Sequence, residues 1–178
     1  MLRYIARSTL MIATLVVAAA LQAAGATPAD DHPKLVNAAP SIDDLVGRFL
    51  EALRARDRKA LHALRVTKDE YVDLILPGSV PQGAPLRDWP AQVNDYYWSV
   101  LHTKSTYYEA DIVAGLGGHH YTVEGVAYRK GTQTYATYTA HKQLALTVRD
   151  EDGNEREIRT GSIAEVNGRY KFISFIRD

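Results

Sequence analysis

Between residues 41 and 76 the apolar side chains recur at the three- and four-residue spacing of amphipathic helices. Leu45, Val46, Phe49, Leu50 and Leu53 form one stripe, and Ser41, with Asp44 three residues on, supplies its N-cap. Asp57 caps a second, short helix that buries Leu61 and Leu64. Thr67 and Glu70 repeat a capping-box pattern ahead of Tyr71, Val72, Ile75 and Leu76, and Pro77-Gly78 ends that third helix. The following "PGSVPQGAPLRDWP" is too rich in proline and glycine for a regular element and reads as a lid or surface loop, with Trp89 tethering one end. From Ala91 the spacing of Val93, Tyr97, Val100, Leu101, Tyr107, Tyr108 and Ile112 fits a long helix, whole or broken near Ser105-Thr106, that stops at the glycines of 115–118.

Beyond those glycines the pattern turns to β. The segments "HHYTVEGVAYR", "QTYATYTAHKQLALTVR", "REIRTGSIAEV" and "RYKFISFIR" are rich in Thr, Val, Ile and Tyr and predict four strands, the second unusually long. Asp152-Gly153 lies in one turn, and Asn167-Gly168 is a strong two-residue hairpin signal. A two-residue loop at Lys130-Gly131 would set His120 opposite His141, and a four-residue loop would set Thr122 there instead. Either way His120, Thr122, Glu124, Thr137, Thr139 and His141 share one face, and Tyr121, Val123, Ala127, Tyr138, Ala140 and Leu144 the other.

The chain start changes the picture of where this domain works. Arg3 and Arg7, the 13-residue apolar run Thr9–Leu21 and the small residues Ala24-Gly25-Ala26 have the three parts of a secretory signal peptide, so residues 1–26 are expected to be removed. The run is shorter than the roughly 20 residues that span a bilayer, so no membrane attachment is expected after cleavage, and the destination is periplasmic or secreted. Residues 27–40, with three prolines, read as a flexible leader to one domain over 41–178. Of 21 basic residues two lie in the signal, leaving 19 against 21 acidic ones, a net charge of −2 that argues against binding nucleic acid. With no cysteine, disulfides and thiolate chemistry are excluded.

Helices followed by an antiparallel meander, seen in "LVGRFLEALRARDRKALHAL" and in the closing "GSIAEVNGRYKFISFIRD", resemble the nuclear transport factor 2-like superfamily with its SnoaL-like and ketosteroid-isomerase-like members. "TKDEYVDLILP" is also similar to a segment of exported bacterial proteins of unassigned function. The resemblance covers residues 41–178 and implies a cone-shaped α+β fold, with N-terminal helices packed on a curved antiparallel four-stranded sheet. It also implies a pocket inside the cone, for which Tyr97, Tyr121 and Tyr138 are the expected lining, suited to a small apolar or aromatic ligand. Ketosteroid-type isomerisation is disfavoured, because the first helix, 42–56, contains no tyrosine to form the oxyanion hole.

His120, Glu124 and His141 are the candidates for acid–base or metal chemistry on the polar strand face, although such a face ordinarily meets water. No metal site and no cofactor are expected, and no Gly-x-Ser-x-Gly, phosphate loop or His-Glu-x-x-His motif occurs. His119 points away from His120 in a strand, so the adjacent pair is not itself a chelate. The expected function is an exported ligand-binding or accessory module; the alternative is a small isomerase, cyclase or hydrolase using the cone. In the last hairpin Ile163 faces Phe172, which leaves Ile173 and Phe175 as the expected interface of a homodimer.

Overall fold

The computed structural model of the chain describes residues 34–176; the expected signal peptide and residues 27–33 lie outside the described residues. Order begins before Ser41. Leu35 and Ala39 are buried, and Ala39 pairs antiparallel with Tyr170, exchanging backbone hydrogen bonds of 3.0 and 2.9 Å. The described end of the expected flexible leader is therefore packed on the domain.

Helix α1 (Ile42–Arg54) starts where the caps demand: Ser41 accepts from the Asp44 N–H, and Asp43 and Asp44 complement the positive end of the helix dipole. Its buried positions include all five of the predicted stripe. Asp57 caps α2 (Arg58–Ala63) by accepting from the Ala60 N–H at 2.9 Å. Thr67 and Glu70 form a complete capping box on α3 (Lys68–Glu70), which runs on through a π-helical stretch, Tyr71–Ile75, into α4 (Leu76–Gly78). In α-register the Pro77 ring would strike the Asp73 carbonyl. The wider turn, in which the Leu76 N–H bonds Tyr71 O, precedes the proline and eases it into the segment. Gly78 ends it at a close approach, since a Cβ there would lie 1.6 Å from Thr137 Oγ1. Helix α5 (Ala91–Leu116) is unbroken through Ser105-Thr106.

The strands are β1 (Tyr121–Tyr128), β2 (Thr132–Thr134), β3 (Thr139–His141), β4 (Leu144–Asp150), β5 (Glu155–Arg159), β6 (Ile163–Val166) and β7 (Arg169–Phe172). The described residues are α+β, with two antiparallel sheets ordered β1-β4-β5 and β2-β3-β6-β7 in place of four uninterrupted strands. Both pairings between the second and third segments keep one register: Ala145↔Arg159 and His141↔Ile163 each sum to 304. The hairpin turn expected at Lys130-Gly131 is at Tyr135–Tyr138, where Tyr135 N–H bonds Tyr138 O at 2.8 Å and Thr134 faces Thr139. Strand β1 is thereby shifted, with Tyr121 opposite Asp150 and Tyr128 opposite Leu144. Asn167 (φ 51°) and Gly168 (φ 68°) make the expected two-residue turn, and Ile163 faces Phe172 as its register requires.

Two apolar cores sit on the two faces of β6. Phe49, Phe172 and Phe175 pack ring to ring at 4.9–5.8 Å in the first, with Leu53, Leu146 and Ile158 around them. Val66, Leu74, Ile75, Tyr138, Ala140 and Ala164 make the second. These cores take up the two side chains expected at a dimer interface. Phe175 is 1% exposed in the first, and Ile173 packs partly buried against the second. Two causes act: β7 stops at Phe172, so strand alternation ends there, and the helical segment 68–78 supplies the second layer that the sequence did not reveal.

Candidate functional site

The six side chains singled out in the sequence are dispersed. His120 offers its backbone N–H to Glu151 at 3.0 Å, while Glu124 takes a two-pronged hydrogen bond from Arg149 at 2.6 and 3.0 Å. His141 sits between Glu165, 2.7 Å from Nε2, and Thr132, 3.2 Å from Nδ1. The shifted β1 register causes this separation, since His120 adjoins the Tyr121↔Asp150 pair whereas His141 is level with Thr132 and Ile163. Among the described residues no group of three or more His, Asp or Glu side chains could hold a metal ion.

The three tyrosines do not share a pocket either. Tyr97 is 42% exposed and leans on Trp89, whereas Tyr121 lies in the first core and donates to Leu116 O at 3.1 Å. Tyr138 lies in the second core, its hydroxyl 2.9 Å from Ser79 Oγ and its pKa pushed up to about 12 by burial. Of the predicted α5 stripe, Tyr97, Val100 and Tyr107 are exposed, and the buried positions are Ser105, Glu109 and Ile112.

That buried stripe leads to a polar interior between α2 and α5. Helix α2 presents Arg58 and His62 one turn apart, and α5 presents Trp98, His102, Thr106 and Glu109 at successive turns. Arg65 follows α2 where the backbone is fixed to β7: Val66 N–H bonds Phe172 O at 2.8 Å and Phe172 N–H bonds Leu64 O at 3.0 Å. Arg65 is 2% exposed and Glu109 3%. The Glu109 carboxylate accepts from Arg58 Nε at 3.3 Å, but its other oxygen is 3.8 Å from His62 Nδ1 and 4.0 Å from Arg65 Nη1. Those two contacts are electrostatic only, beyond hydrogen-bond length.

The result is a concentration of unmet polar groups. All three guanidinium nitrogens of Arg65, Glu109 Oε2, His102 Nδ1 and Thr106 Oγ1 are buried without a protein hydrogen-bond partner. Leaving such a group unsatisfied costs about 1–3 kcal/mol, more for a charged one. Burial lowers the Arg65 pKa against the pull of Glu109. Burial also lowers that of His102, helped by the positive field of Arg65 and by His62 and opposed by Glu109, so its neutral form is favoured. An aromatic row adjoins these charges: Tyr71 to Trp98 at 5.7 Å, Trp98 to His102 at 5.3 Å and His102 to His62 at 5.6 Å. Arg58 and His62 are half-exposed, so the cluster reaches solvent on the α2 side.

Neither Glu109 nor Arg65 is among the residues singled out in the sequence. The one available signal was the spacing Trp98, His102, Ser105, Glu109, which defines a helix face interrupted by polar residues. A separate cleft of about 500 Å³ between α5 and β5, lined by Tyr108, Asp111, Ile112, Leu116, Glu157 and Arg159, has no comparable deficit at Arg159, which pairs with Glu157. No protein-family model matches the chain, and neither a curated protein nor a solved structure matches it.

Proposed function

We propose that the protein is an exported small-ligand-binding module, with its ligand held at the polar interior between α2 and α5. One observation carries this reading: a buried arginine, with none of its three nitrogens hydrogen-bonded to protein, lies 4.0 Å from a buried carboxylate that is itself incompletely paired. Native structures satisfy the great majority of their buried polar groups, so a cluster of exceptions supports a further partner at this place.

The nuclear transport factor 2-like cone belongs to the same proposal. Its curved four-stranded sheet would consist of β1–β2, β3–β4, β5–β6 and β7, each of the first three being one bent strand. The shared register of β3 with β6 and β4 with β5 supports this, as do the bonds Lys142 N–H to Gly131 O at 2.9 Å and Thr160 N–H to Leu144 O at 2.9 Å, which bridge the two sheets. Export rests on the leader sequence alone.

Native mass spectrometry of protein purified from its host without added ligand tests the binding reading. A bound small molecule is expected on the wild type and is lost in Arg65→Met. A wild-type spectrum with only the bare polypeptide mass, at a desolvation energy that preserves a control protein–ligand complex, contradicts it.

A further inference from the structure

We infer that the ligand is a small organic monoanion, a carboxylate carried on a flat aromatic or apolar group. This rests on the binding-module reading and names the class of molecule that the α2/α5 site takes.

The argument is one of donors and acceptors. A guanidinium has five N–H groups and can only donate, whereas a carboxylate can only accept. At the site every Arg65 nitrogen is unpaired, while the only unpaired group restricted to accepting is one oxygen of Glu109. The His102 nitrogen and the Thr106 hydroxyl adapt to either role, so they neither create nor remove the imbalance. What the site lacks is acceptors, and they must match a planar fork. A carboxylate meets an arginine edge through two parallel hydrogen bonds, which a neutral amide cannot reproduce.

Charge sets the valence. Arg58 and Arg65 against Glu109 leave one positive charge, which a monoanion cancels. A dianion such as inorganic phosphate would be left with an excess negative charge facing Glu109, which is 3% exposed and poorly screened. A neutral ligand would leave the guanidinium charge without a full counter-ion.

The surroundings set the body of the ligand. Trp98, His102 and His62 form a row of rings beside the charged residues, and the α2 side, where Arg58 and His62 are half-exposed, gives the approach. A flat group can stack along such a row while its carboxylate reaches inward to Arg65.

Calorimetric titration of the signal-free chain with benzoate, benzamide and inorganic phosphate tests the inference, with Trp98 fluorescence as a second readout. Benzoate is expected to bind about tenfold or more tightly than its neutral isostere benzamide or than phosphate, because the charge-assisted fork is lost in one and the valence is wrong in the other. Arg65→Met should remove benzoate binding. Should that variant fail to fold, Arg58→Gln, at a half-exposed position, should weaken benzoate about two- to fivefold and leave the far-ultraviolet circular dichroism unchanged. Benzamide binding as tightly as benzoate overturns the anion assignment while leaving a ligand-binding module in place. Phosphate binding more tightly than benzoate overturns the carboxylate class. Failure of all three probes overturns the inference, and the mass of ligand carried by the host-purified protein then judges the binding reading separately.

Discussion

Among the described residues two acid–base pairs are buried, and they are built in opposite ways. Lys171 and Glu70 are 3% and 5% exposed and meet at 2.8 Å. The Glu70 carboxylate also accepts the Val36 and Thr67 N–H groups, at 2.6 and 2.7 Å, and the lysine also donates to Val36 O at 3.0 Å. The pair thereby clasps residues 34–39 and the start of α3 onto β7. Arg65 and Glu109 are equally buried, yet stop 4.0 Å apart with four of their polar atoms unpaired. The same fold is therefore able to close a buried charge pair completely. Where it leaves one open, the position of the open groups, beside an aromatic row and an exposed edge, fits a site for another molecule.

The largest expected effect lies on the closed side. Lys171→Met leaves the Glu70 carboxylate buried without its cation and should cost about 3–5 kcal/mol in urea unfolding. A loss below about 1 kcal/mol would remove the contrast, since the clasp would then be as dispensable as a surface pair.

Tyr138 sharpens the description of the same half, since its phenol is shut in the second core. Burial and neighbouring tyrosines hold its pKa up at about 12, with the Ser79 hydrogen bond opposing. The unfolded phenol ionises near 10, so the unfolded state sheds its proton first and stability declines between about pH 10 and 12, by roughly 2–3 kcal/mol. The contribution is whole below pH 10 and gone above the folded value. Tyr138→Phe should abolish this part of the slope in alkaline urea titrations; an identical slope in the variant would place the phenol in water.

The open pair predicts a smaller change of the other sign. Replacing both partners, Arg65→Met with Glu109→Gln, should leave stability unchanged or raise it by about 1 kcal/mol, because few protein hydrogen bonds are lost and two buried charges disappear. A loss of about 3 kcal/mol in urea unfolding would make this pair structural like the other. The least effect is expected from His102. Its depressed pKa means that the folded state resists protonation, so its contribution is present above the unfolded pKa of about 6.5 and fades as pH falls through the folded value. The urea midpoint should therefore drop between pH 7.5 and 5.5, less so in His102→Asn; a midpoint equally pH-sensitive in the variant would remove His102 from the interior.

Features governed by neighbours in sequence were legible. The Ser41, Asp57 and Thr67 caps, the α1 stripe and the Asn167-Gly168 turn depend on side chains within a few residues, and each is where the pattern put it. The turn at Tyr135–Tyr138 was not, because distant groups hold it. Ala136 N–H meets Val80 O at 3.0 Å and Thr137 Oγ1 donates to Leu74 O at 2.7 Å, so no glycine or proline marks it, while Gly131, with φ 68°, marks only a corner. That misplacement shifted β1 and with it the supposed His120–His141 pairing. Arg65 was illegible for a related reason. Its burial is imposed by backbone pairing with Phe172, a residue 107 positions later, and an isolated arginine between helices ordinarily means solvent.

The most direct test of the open pair as a ligand site is a crystal structure of the host-purified protein with no ligand added, refined well enough to distinguish water from an organic molecule. The account predicts a non-water group accepting two hydrogen bonds from the Arg65 guanidinium at about 2.7–2.9 Å, its body against Trp98 and His102. A structure in which Arg65 and Glu109 close directly into a bidentate pair, or in which water alone meets the guanidinium, would contradict it.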